Sequence, residues 1–243
     1  MKNLIALLLL IGVYSCQTAK IKNDTYKISS TNVELASIGK AKHAIDLKND
    51  FEYKAFAKLE NRIRLSIEII PYNKKLNKVY QDKKKFNQNL IPLDYNDTVA
   101  KKPELAVIRL MDVAGYVSEL NANYNQDVFS LIRETKEIKV VSSIAVPLNS
   151  EDLNKIQQAD AYYLINNQEK RYTIQLFKQG KKTEIIDVNL STVVAYKLSS
   201  FCWATNTRGV WYIADLAKGI SSCKGNTSTQ IKEKEVVKNL YKM

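Results

Sequence analysis

The chain has 243 residues, 45% hydrophobic and 9% aromatic, and its 37 Lys and Arg against 25 Asp and Glu give a formal charge of +12. That is too apolar for a disordered chain and too charged for a polytopic membrane protein; seven Gly and four Pro exclude collagen-like or Pro-rich material. One His and three Cys leave little raw material for metal sites or His-based catalysis.

Met1-Lys2-Asn3 places one positive charge ahead of the apolar run 4–11. The run is too short to span a bilayer permanently but suits the core of a secretory signal. It closes on Val13-Tyr14-Ser15-Cys16. An aliphatic residue three before a Cys, with a small residue just before it, resembles the lipobox of bacterial lipoproteins. The resemblance covers residues 1–16 and implies cleavage before Cys16 and acylation of its sulfur. Ordinary signal cleavage, with Cys16 left as a plain thiol, is the other reading. By the same resemblance, Gln17 is no inner-membrane retention signal, and residues 18–22 lack the acidic cluster of surface-exported lipoproteins. The expected place is the outer membrane, facing the periplasm. Residues 16–32 are polar and aperiodic and read as a flexible tether.

A globular domain is expected over 33–224. Phe51, Ala55, Phe56 and Leu59 fit a helical stripe in an ambiguous stretch. Residues 62–69 alternate strictly and predict a half-buried strand. The Lys- and Asn-rich stretch 73–102 reads as a basic excursion, irregular or with a short strand. Strands are expected at 105–113 and, beyond Gly115, at 116–120. A helix follows at 125–134, a β-branched strand at 138–146, and a helix opening at Asn149. Short connections between strands at 161–165, 171–178 and 183–188 predict an antiparallel meander, with 193–198 as an extension. A final hairpin pairs 201–205 with 210–214, and 225–243 reads as a polar tail. The fold class is α+β, mostly antiparallel sheet with a few short helices.

With Cys16 assigned to lipid, Cys202 and Cys223 are an even pair in an exported chain and read as a disulfide; two free buried thiols are the alternative. Net charge is +8 over 20–102, −1 over 103–200 and +4 over 201–243. Lys83, Lys84 and Lys85 lie in the basic excursion, where they would meet anionic headgroups or an acidic partner. The bland reading is compositional: 31 Lys against six Arg, with 21 Asn, is what an AT-rich genome writes. Tyr172, Trp203, Trp211 and Tyr212 fall on predicted strands and are partner-binding anchors if exposed, ordinary strand residues if not.

Chemistry finds little footing. His43 sits in the most weakly patterned region. Asn121, Asn123, Asn125 and Asp127 imitate a calcium loop, but Gln126 stands where Gly belongs and Ile132 where Glu belongs. Ser-x-x-Lys at Ser37–Lys40 and Ser221–Lys224 lacks its companion motifs. No catalytic residue, metal, cofactor or nucleic-acid partner is expected. The leading expectation is a membrane-anchored, non-enzymatic envelope lipoprotein that binds a protein partner or serves as an accessory subunit. The alternatives are a tethered inhibitor or immunity-type protein, contacting through 73–102, and a carboxylate-dependent wall or glycan hydrolase.

Overall fold

A computed structural model describes residues 18–21, 24–28, 33–41, 51–84, 95–96, 98, 103–166, 172–188, 193–219 and 222–231. The strands are β1 (Thr18–Ile21), β2 (Asp24–Ile28), β3 (Ile38–Ala41), β4 (Phe51–Ala55), β5 (Ile63–Pro71), β6 (Glu104–Leu110), β7 (Ile138–Pro147), β8 (Ala161–Asn166), β9 (Tyr172–Lys178), β10 (Lys181–Ile186), β11 (Ala195–Thr205) and β12 (Trp211–Lys218). The helices are α1 (Lys74–Lys84), α2 (Val113–Asn121), α3 (Gln126–Glu134) and α4 (Ser150–Gln158). The α+β class with an antiparallel sheet is what the molecule shows. The strand order is β1-β2-β11-β7-β6-β5-β8-β9-β10, with β12 beside β11, and β3, itself paired with β4, beside β7.

Alternation along the central strands sorts side chains to two cores. On β6, Ala106, Ile108 and Leu110 enter the larger core, which also takes Tyr116, Val117 and Leu120 of α2, Phe129 and Ile132 of α3, and Leu153 and Ile156 of α4. Leu105 and Val107 point the other way, into a smaller core with Ile21, Tyr26, Tyr72, Leu76 and Tyr80. β6 is therefore apolar almost without interruption, as expected of a strand covered on both faces. The meander β8–β9–β10, the β11–β12 hairpin and the helix capped by Asn149, whose Oδ1 accepts Asp152 N–H at 2.7 Å, all form as the patterns predicted.

Several stretches differ from expectation, among them 193–198, expected to extend the β8–β9–β10 meander: residues 195–198 instead open β11, which pairs with β7 far from β10. Residues 113–121 are helix, not strand. The Asp112 carboxylate caps them by accepting Gly115 N–H at 2.8 Å, and a Cβ on Gly115 would collide with that carboxylate. Residues 74–84 are helix, seated by Leu76 and Tyr80 and capped by Asn73, whose Oδ1 accepts Leu76 N–H at 2.9 Å. Phe51–Ala55 is a strand, because pairing with β3 overrides the helical spacing. Residues 18–21 and 24–28, expected in the tether, form a hairpin whose second strand pairs Lys27 and Ile28 with Tyr196 and Ala195 of β11. Near the other end, Ser228 exchanges two backbone hydrogen bonds with Trp203, of 2.7 and 2.9 Å, where the tail was expected.

Candidate functional site

β5 organises the site. Ile63 and Leu65 enter the larger core, so Arg64, Ser66 and Glu68 lie on the opposite sheet face, ahead of Ile70 in the smaller core. Pairing registers extend this face across the sheet. One row runs Arg64, Tyr163, Gln175, Ile185 over β5, β8, β9 and β10. The next runs Ser66, Arg109, Ser143, Lys197 over β5, β6, β7 and β11. The α1 helix covers the half of this face around Leu105 and Val107; among the described residues no element covers the arginine half.

The half-buried charges here are paired. Arg109 reaches Glu68 Oε2 at 3.3 Å through Nη1 and donates to the Tyr26 hydroxyl at 3.2 Å through Nε. Ser143 donates to Ile108 O at 3.0 Å, so the Tyr26 hydroxyl donates in turn to Ser143 Oγ at 2.9 Å, and the relay closes. Lys197 Nζ lies 2.7 Å from Asp24 Oδ1. That hydrogen bond holds the Asp24 carboxyl below its ordinary value against the opposing effect of partial burial, with help from the charges of Lys197, Arg109 and Lys218. Glu68 and Asp24 thus neutralise cations.

The exposed charges are not so compensated. The Arg62 guanidinium sits 4.6 Å from the Tyr163 ring centroid and 4.7 Å from that of Phe177, and the two rings meet edge to face at 5.1 Å. This stacking fixes the guanidinium plane while leaving its N–H edge free to bond. Among the described residues neither Arg62 nor the exposed Arg64 has a carboxylate partner. Ile185 (45% exposed) ends one row, and Met111 (61% exposed) donates its N–H to Arg64 O at 3.0 Å beside it. Such a surface can bind carboxylates through planar, paired N–H donors.

The aromatic anchors expected from the sequence separate. Trp203 is buried edge-on against Phe129 at 5.5 Å. Tyr172 packs edge-on against Phe56 at 5.1 Å and donates its hydroxyl to Ala57 O at 2.6 Å; burial pushes its phenol up. Trp211 is half-buried against the larger core. Tyr212 stays 40% exposed beside Val210. Hence only Tyr212 remains a surface anchor, because the larger core needs the other three rings. Lys83 and Lys84 close α1, while Lys85, His43 and Cys16 lie outside the described residues. Cys202 and Cys223 form a disulfide.

The calcium-like Asn series has a structural use. Asn121 pairs both backbone groups of Ile213, accepting its N–H at 2.9 Å and donating to its carbonyl at 2.7 Å. Asn125 does the same for Lys58, at 2.7 and 2.8 Å. The buried Glu119 carboxylate accepts Glu60 N–H at 2.6 Å, Asn61 Nδ2 at 2.8 Å and the Tyr124 hydroxyl at 2.9 Å. A cavity of about 20 Å³ among Leu35, Ile144, Leu164, Tyr172 and Ile174 has room for one water.

Sequence reasoning passed over Arg62, Arg64 and Arg109. The available signal was scarcity: in a chain that writes Lys five times as often, Arg64 and Arg109 fall on two adjacent strands and Arg62 directly precedes one of them. Comparison with protein-family models, curated proteins and solved structures finds no match to this chain.

Proposed function

We propose that the protein is a lipid-anchored, non-enzymatic binding subunit of the bacterial envelope, held at Cys16 on the periplasmic side of the outer membrane, which captures an acidic protein partner on its arginine face. The observation that carries the reading is the pair Arg62 and Arg64, exposed and without carboxylate partners among the described residues, on an open sheet face. The Arg62 guanidinium already occupies the Tyr163 and Phe177 rings, which favours carboxylates over sugar rings as the ligand. Apolar Met111 and Ile185 are exposed beside the arginines and give a protein partner apolar contact area next to the charges.

Arg62→Glu with Arg64→Glu should remove the partner that co-purifies with the native lipoprotein from solubilised envelopes. Both side chains are exposed, so the variant should remain folded, losing about 1 kcal/mol with the Arg62 ring contacts. An unchanged set of co-purifying proteins would contradict the reading. The anchor has its own test: Cys16→Ser should release the protein from the membrane fraction, and continued attachment would contradict acylation.

A further inference from the structure

Resting on the lipid-anchor reading, we infer that the molecule lies against the bilayer instead of hanging from a tether, with helix α1 and the β1–β2 hairpin presenting a lysine surface to anionic lipid headgroups. β1 begins at Thr18, two residues after Cys16. A chain advances at most about 3.6 Å per residue, so the sheet begins within about 7 Å of the acylated residue. The hairpin is part of the body: Thr18 pairs with Lys27, and Ile28 pairs with Ala195 of β11.

α1 sits beside it, since Ile21 and Tyr26 share the smaller core with Leu76 and Tyr80. By sequence α1 carries Lys74, Lys75, Lys78, Lys83 and Lys84 against Asp82 alone. Lys74 and Lys78, one turn apart, are exposed. By sequence the stretch 17–28 adds Lys20, Lys22 and Lys27 against one acid, Asp24, which Lys197 holds at 2.7 Å. A basic surface fixed this close to an acyl anchor meets the headgroups before it meets any protein, and acyl chain plus polybasic patch is the combination that anchors stably.

The test uses the acylated protein reconstituted in vesicles of phosphatidylcholine alone or with one-third phosphatidylglycerol. Lysine acetylation rates are read by peptide mass spectrometry. Lys74 and Lys78 should react about fivefold more slowly on the anionic vesicles, and high salt should restore their rates. Exposed Lys136, which follows α3 on the other side of the sheet, should react equally on both. Acylated protein whose Lys74 and Lys78 react alike on both vesicles would overturn the lysine surface and leave the anchor standing. Absence of acyl mass on Cys16 would overturn the anchor and this inference with it.

Discussion

At the scale of single residues, polar side chains that could pass for ligands are committed to backbone that no strand satisfies. Ile213 turns its N–H and carbonyl away from β11, and Asn121 takes both, blunting an edge otherwise open to another chain. Asn121→Ala should therefore lower stability by about 2 kcal/mol, read as a shifted urea midpoint with an unchanged slope. Glu119 is a second case. Its carboxylate accepts three donors, and an amide in its place sets an N–H₂ against at least one of them. Glu119→Gln should cost about 2 kcal/mol in the same assay. Burial, followed by the bond to Glu119 and the charges of Glu119 and Glu60, pushes the Tyr124 phenol up to about 12. The substitution should bring it back toward 10, seen in the alkaline titration of the Tyr124 ring by NMR.

At the scale of elements, what the sequence disclosed followed the strength of each segment's own pattern. β5, β7 and the β8–β9–β10 meander carry alternation or β-branched runs of their own, and they were legible. α1 has only Leu76 and Tyr80 among lysines, and its helical period becomes visible once the smaller core is known. α2 is rich in Val and Tyr, and what makes it a helix is the Asp112 cap with its glycine, a contact that propensity does not report. The arginine face was hidden for a related reason: Arg64, Arg109 and Tyr163 become neighbours only through strand order, while Tyr172 and Trp203 looked like anchors until packing placed them. The Cys202–Cys223 pair was readable by count. Replacing both cysteines with Ala should cost about 3 kcal/mol. Limited proteolysis should then cut within residues 222–231, which Cys223 and the Ser228 bridge hold to β11, before it reaches the sheet.

At the scale of the whole molecule, one sheet packs α2, α3 and α4 against one face and α1 against part of the other. The covered parts bury phenols. Burial pushes Tyr80 up to about 12 and raises Tyr72, Tyr116 and Tyr172 as well. These groups stay protonated in the folded chain above pH 10, where the unfolded chain releases its protons. Their contribution to stability is thus fully present below pH 10 and declines as pH rises past it, so urea midpoints should fall between pH 10 and pH 12. Midpoints that hold steady over that interval would refute the burial of these rings. The arginine half of that second face carries Arg62, Arg64 and Gln175, and binding of an acidic partner there is most directly tested by a photo-cross-linking residue at position 175 of the native lipoprotein. In intact envelopes it should trap one discrete protein adduct, which disappears when Arg62→Glu and Arg64→Glu are introduced and is absent when the cross-linker stands at position 136. No adduct from position 175, or one that survives loss of both arginines, would contradict the assignment of this face.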